Sequence, residues 1–234
     1  MALILNLETS TKVCSVSLSK GLEIIGWKED TEGRNHATLL TVFIDEILKE
    51  NGIVTEDLDA IAVSKGPGSY TGLRIGVSTA KGMAYALSIP LISINTLKMM
   101  ASGFLQENEQ IGLENDILLC PMIDARRMEV YSAIYDTKLN ELRKVEAEII
   151  DENSYKDIIK KKRMIIIGDG AAKCSEYLKH PKINIDSDFM LSSRFMVPLA
   201  YDKYEKKNFE DVAYFEPFYL KDFVATIPKK KLLA

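Results

Sequence analysis

Apolar residues recur through three strand-like runs at the start of the chain, LILNLET (Leu3–Thr9), VCSVSLS (Val13–Ser19) and LEIIGWKE (Leu22–Glu29). Only STK and KG separate them. Runs of this kind mark strands, whose side chains repeat every two residues, and connections this short join neighbours in an antiparallel meander. After the polar loop DTEGRN the period lengthens. In HATLLTVFIDEILKENG the residues Leu39, Leu40, Phe43, Ile44, Ile47 and Leu48 recur at helical spacing, with Gly52 where a C-cap belongs. DAIAVSK (Asp59–Lys65) then reads as a buried strand. Ser69 can cap a helix from Tyr70 to about Leu87. IPLISI is a short strand, and Thr96 opens a helix through about Glu107.

The order of three strands, then helix, strand, helix, strand, helix, is that of a ribonuclease-H-like sheet, also found in each half of the actin-like ATPase folds. The polar stretch QENEQIGLEND precedes a weaker repetition: ILLCPMID (Ile117–Asp124), the turn ARR, MEVYSAIYD, and a third strand over 142–149. SYKDIIKKKR is expected to be helical, MIIIG a buried strand, and AKCSEYLKH a helix. Ser192 is expected to cap a long last helix, about 192–207. The expected fold is therefore α/β, with two ribonuclease-H-like subdomains of mixed sheets flanked by helices. An N-terminal subdomain would span 1–108 and a smaller, degenerate one 109–234. The last helix would pack back on the first subdomain.

Composition narrows the function. The 234 residues are 47% hydrophobic and 27% charged, with a formal net charge of −4. Such a chain does not hold nucleic acid by bulk electrostatics. Cys14, Cys120 and Cys174 form neither a CxxC pair nor a zinc spacing, which suits a reduced, cytoplasmic setting. The opening MALILNLETS reads as a first strand rather than a signal peptide, and no apolar run approaches the roughly 20 residues that span a bilayer.

SKGPGSYTGLRIGVSTAKG (Ser64–Gly82) sits between strand and helix like a phosphate-binding loop. It matches neither GxxxxGK[ST] nor GxGxxG, because Gly72 falls one residue too far from Gly66 and Gly68. Backbone amides before a helix can still hold an anion. Gly72, Gly76 and Ala80 recur every four residues on one helix face, and each interior glycine costs about 1 kcal/mol against alanine. Two readings fit: tight packing on the domain's own sheet, or close approach of a helix from another chain. The preceding helix has apolar residues over close to half its circumference, more than one sheet needs, which also suggests an interface.

Metal and acid–base groups are sparse. His36 has Leu40 four residues on, where a second helical ligand would stand, and His180 is the only other histidine. Glu8 ends the first strand, and the turn Thr9-Ser10-Thr11-Lys12 has hydroxyls but no glycine. Gly168-Asp169-Gly170 lies where a second phosphate loop would fall in an actin-like fold. The basic runs Lys160–Arg163 and PKKKLLA read as solvated.

LETSTKVCSVSL, the His36–Leu40 helix start and above all KGPGSYTGLRIGVSTAKGMAYAL resemble the glycoprotease-like branch of the actin/Hsp70/sugar-kinase superfamily. The likeness is dense over residues 1–100 and thin beyond, where DARRMEVYSAIYD and PFYL fit. The resemblance implies a non-catalytic scaffold for threonylcarbamoyladenosine formation in tRNAs that read codons beginning with adenine. Its partners would be the catalytic paralogue TsaD, which carries the metal-binding HxxxH helix, and the P-loop protein TsaE. It would form a homodimer when alone and meet tRNA only through the complex, with no membrane, metal or cofactor of its own. The implied partner interface is His36, Leu40, Phe43, Ile47, Tyr70, Gly72, Leu73, Gly76, Val77 and Ala80. Vestigial phosphate contacts would be Thr9, Ser10, Thr11, Gly66, Gly68, Gly168 and Gly170. Glu8 departs from the family's usual aspartate, which puts nucleotide binding further in doubt. The alternative is an active metal-dependent glycoprotease or a small actin-fold ATPase or kinase.

Overall fold

The computed structural model of the protein describes residues 1–33 and 35–221. The first sheet is built from β1 (Leu3–Glu8), β2 (Cys14–Lys20), β3 (Glu23–Asp30), β4 (Ala60–Gly66) and β5 (Leu91–Asn95), in the order β3-β2-β1-β4-β5. β1–β2 and β2–β3 pair antiparallel, while β4 runs parallel to β1 and β5 parallel to β4. Parallel neighbours need crossovers, and these are α1 (His36–Glu50, joining β3 to β4) and α2 (Tyr70–Leu87, joining β4 to β5). Gly52 takes φ 64° just past α1, and the Ser69 hydroxyl accepts from Gly72 N at the start of α2.

After α3 (Thr96–Glu107) the pattern repeats in β6 (Ile117–Asp124), β7 (Glu129–Asp136), β8 (Glu141–Ile149), α4 (Lys156–Ile159), β9 (Arg163–Ile167), α5 (Asp169–Cys174) and β10 (Ile183–Asp186). The second sheet has the order β10-β9-β6-β7-β8, the first sheet's arrangement over again. A short 3-10 turn, Ser193–Met196, leads into α6 (Val197–Glu205).

Alternation along the strands sorts the side chains into three cores. Leu5, Leu7, Val16, Ile61 and Val63 face Leu40, Ile44, Ile47, Val77 and Ala80 of α1 and α2. The opposite face of the first sheet, through Ile4 and Ile92, joins Leu119 and Ile165 of the second around α3 and Phe195. Leu118, Cys120, Met164 and Ile166 turn outward to Tyr155, Ile159 and Cys174. α6 returns to the first sheet, where Lys203 Nζ donates to Ser93 O at 2.8 Å.

The second half departs from expectation at its helices. The helix over SYKDIIKKKR contracts to four residues, and that over AKCSEYLKH starts earlier, at Asp169, and ends at Cys174. β10 was not expected. The last helix does not begin at Ser192: that hydroxyl accepts from Arg194 N across the 3-10 turn, and α6 starts at Val197 with Pro198 in its first turn, where a missing N–H costs nothing. The basic tail PKKKLLA lies outside the described residues.

Candidate functional site

The turn after β1 is held by groups from β1, α1 and the start of α2. Ser10 donates both its backbone N–H and its hydroxyl to Glu8 Oε1. Thr9 Oγ1 donates to Gly72 O at 2.8 Å, and Ser69 N donates to Ser10 O at 2.6 Å. His36 Nε2 lies 3.0 Å from Thr11 O, so this nitrogen carries the proton and ties α1 to the turn. Glu8 is wholly buried. Burial pushes its carboxyl up to about 7, against the opposing effect of the Ser10 bonds. The Ser64 hydroxyl also favours the ionised form, but it sits outside hydrogen-bonding geometry, so Glu8 Oε2 and Ser64 Oγ are both buried without a partner.

This turn explains the glycines. A Cβ added at Gly72 would lie 2.0 Å from Thr9 O, and one at Gly76 2.2 Å from Thr9 Oγ1. At Gly68 it would meet Ser10 O at 2.3 Å. The glycine face of α2 is therefore pressed onto the chain's own β1–β2 turn. This corrects the expectation that the face meets a partner: Gly72, Leu73, Gly76, Val77 and Ala80 are all buried inside the chain, as are Leu40 and Ile47 of α1. Of the expected interface residues, only His36, Phe43 and Tyr70 keep part of their surface open.

The same geometry bears on the expected phosphate contacts. The Ser10 donors that could face a phosphate are taken by Glu8, and Thr9 Oγ1 is taken by α2. Gly66, at φ 111°, lies under the backbone of Phe218, which a Cβ there would approach to 2.7 Å. Gly168 and Gly170 press on the backbone of Met122 and Ile123. Only Thr11 looks into open space, a cavity of about 230 Å³ that it lines with Lys12, Asp169 and Asp188. A second cavity of about 370 Å³ adjoins it, lined in part by Glu29, Glu107, Asp186, Asp188 and Arg194. Burial raises the Asp169 carboxyl, against the opposing hydrogen bond from Asp124 N; the Asp124 charge adds to the rise and Lys12 opposes it. Carboxylates thus outnumber cations in this cleft, which disfavours a bare phosphate chain. Among the described residues no cluster of three or more His, Cys, Asp or Glu could hold a metal ion. Nor is any described helix long and apolar enough to cross a membrane.

A different surface is left over. On α2, Thr71, Ser78, Gly82 and Ala86 are exposed, with Ile75 half-buried beside them. A Cβ at Gly82 would have nothing within 4 Å. On α1, Val42 is 43% exposed, and Leu39 and Phe43 are half-buried. On α2 this outer face sets small residues between Arg74 and Tyr85, the latter 80% exposed, and on α1 it is apolar. The sequence pattern also missed the segment after α6. It crosses the edge of the first sheet through a bridge between Glu210 and Leu91, and Lys81 Nζ donates to Phe215 O at 2.7 Å. Phe218 N donates to Lys65 O at 2.7 Å, and Tyr219 stacks on Tyr70 with ring centroids 4.9 Å apart. The aromatic run YFEPFYL was its only advance signal.

The family described as TsaD, tRNA N6-adenosine threonylcarbamoyltransferase, matches residues 30–229 of the chain. The tRNA threonylcarbamoyladenosine biosynthesis protein TsaB of Escherichia coli (strain K12) is 28% identical over 240 residues, covering 95% of this chain and 96% of its own. The protein of the same description from Haemophilus influenzae is 30% identical over 236 residues, 94% of each. Among solved structures, an uncharacterized protein from Pseudomonas aeruginosa with similarity to peptidase YEAZ shares the fold, with a TM-score of 0.83 at 24% identity over 94% of this chain and 100% of that one.

Proposed function

We propose, from the premise that the chain belongs to the TsaB family of tRNA threonylcarbamoyladenosine biosynthesis proteins, that it is a non-catalytic scaffold for threonylcarbamoyladenosine formation in tRNAs reading codons that begin with adenine. It acts in the cytoplasm by pairing with a TsaD paralogue, which supplies the catalytic metal site, and the pair supports binding of TsaE. Without that partner it pairs with itself through the same surface.

The observation that carries this reading is the outer face of α1 and α2. Val42, Ile75 and the 80% exposed Tyr85 offer a second helical pair apolar surface, with Gly82 and Ala86 between them leaving room for its side chains. Leaving that apolar area in water is costly, which favours burial between chains. A catalytic role has less support. Leu40 is fully buried where a second histidine ligand would stand, and His36 is committed to Thr11 O.

Co-purification of the chain with the TsaD of the same organism tests the reading. A stoichiometric complex in sedimentation is expected, with self-association of the lone chain at tens of micromolar. A chain that stays monomeric at that concentration and does not bind the paralogue refutes it.

A further inference from the structure

We propose that a basic, aromatic rim, formed by the start of α2, the β6–β7 turn and the segment after α6, contacts RNA directly. This rests on the preceding reading, since the RNA would be the tRNA that the complex modifies. It goes further in giving this chain its own RNA contacts.

The rim begins with a stacked group. The Arg74 guanidinium lies 4.1 Å from the Tyr70 ring centroid, and its Nε donates to Tyr219 Oη at 3.4 Å. Tyr219 stacks on the same Tyr70. Two residues on, a span of about 7 Å at most, Lys221 pairs with Glu129 and sits 5.9 Å from the Tyr131 ring. That carries the rim to the turn between β6 and β7, where Arg126 and Arg127 are exposed.

The turn is braced to present these arginines. Both are left-handed, at φ 67° and 53°. Arg126 N donates to Asp124 Oδ1 at 2.8 Å, and Lys173 Nζ donates to Arg127 O at 3.1 Å. Of the nearby carboxylates, Asp124 pairs with Lys173 and Glu129 with Lys221, while Asp169 accepts from Asp124 N at 3.1 Å. Among the described residues neither Arg126 nor Arg127 has an ion-pair partner. A chain of net charge −4 thus shows Arg74, Arg126 and Arg127 along one edge.

The chemistry favours RNA over an acidic protein surface. A guanidinium fork matches phosphate oxygens in two-point geometry. Unpaired bases stack on tyrosine rings and arginine planes, and the exposed Tyr219 and Arg74, held on Tyr70, offer one of each. The rim is also continuous with the proposed pairing face, because Arg74 lies on α2 between the exposed Thr71 and Ser78. An RNA seated on the paralogue could cross onto it.

The test uses the purified heterodimer and an unmodified tRNA transcript, with affinity measured across a salt series. The double variant Arg126→Ala/Arg127→Ala should pair normally. Losing two phosphate contacts, at about 0.7 of slope each, should make the log–log salt dependence shallower by about 1.4 and weaken binding about 25-fold at about 0.1 M salt. Lys161→Ala/Lys179→Ala, on exposed lysines elsewhere in the second half, should change neither quantity. Intact pairing with unchanged affinity and slope overturns the rim alone. Loss of TsaE binding with tRNA affinity unchanged also overturns it, in favour of a protein-binding rim. Failure of the wild-type chain to pair overturns the scaffold reading and this one with it.

Discussion

Replacing Gly76 by alanine tests how α2 meets the β1–β2 turn. The new Cβ would lie 2.2 Å from Thr9 Oγ1 and 3.4 Å from Thr9 Cβ, so the threonine must move and give up its 2.8 Å bond to Gly72 O. The helix itself gains about 1 kcal/mol from the substitution. Against that stand about 1–3 kcal/mol of overpacking and about 1 kcal/mol for the lost hydrogen bond. The expected net loss is about 1–3 kcal/mol, a fall in Tm of about 2–12 °C for a chain of this size. Gly82→Ala is the matched control. It is in the same helix, with nothing within 4 Å of the new Cβ, and should gain up to about 1 kcal/mol. Thr9→Ala removes the obstructing oxygen, so combining it with Gly76→Ala should recover at least about 1 kcal/mol beyond additivity, while Thr9→Ser should not. Urea and thermal unfolding of wild type and the six variants, the four single changes and the two doubles with Gly76→Ala, give every quantity. The reasoning is refuted if Gly76→Ala stabilises the chain as Gly82→Ala does, or if its effect is additive with that of Thr9→Ala.

Glu8 makes stability fall as pH rises. Its carboxyl is held at about 7 in the folded chain against an ordinary 4.5, so the folded state binds the proton more tightly and loses stability from about 4.5 up through 7. Glu8→Gln keeps an acceptor for both Ser10 donors and should stabilise the protein at pH 8 by up to about 3 kcal/mol, with little effect at pH 4. Denaturant midpoints against pH check this, and a wild-type slope that survives in the variant contradicts it. Gly82→Leu should leave the lone chain at least as stable while weakening its complex with the paralogue at least tenfold by calorimetry; unchanged affinity would remove this face from the interface. Zinc titration of the lone chain should show no stoichiometric site, and one tight zinc lost on His36→Ala would restore the enzymatic alternative.

The first sheet was legible because its strands are short apolar runs broken by tight turns and its two crossover helices carry regular apolar stripes. The second half was harder for physical reasons. INID is too short and polar to announce β10, and it is placed by pairing with β9 rather than by its own pattern. The helices expected around α4 and α5 are cut short where basic and polar residues offer little to bury. At the site, the four-residue spacing of Gly72, Gly76 and Ala80 correctly marked a close approach. Periodicity identifies a face but not what covers it, and here the cover is Thr9 rather than another chain. The proposed pairing surface had to be read from the residues left outside, such as Gly82 and Val42. The Tyr70–Tyr219 stack joins residues far apart in sequence, and no local pattern announces it.

The central claim is that this chain makes no catalytic contribution yet is required. It is tested most directly by measuring threonylcarbamoyladenosine in a tRNA transcript by mass spectrometry after reconstitution. TsaD of the same organism, TsaE, ATP and threonylcarbamoyl-adenylate are supplied with and without the chain. The account predicts modified nucleoside only when the chain is present, undiminished by His36→Ala and reduced by Gly82→Leu. Full modification without the chain, or modification by the chain in the absence of TsaD, would contradict it.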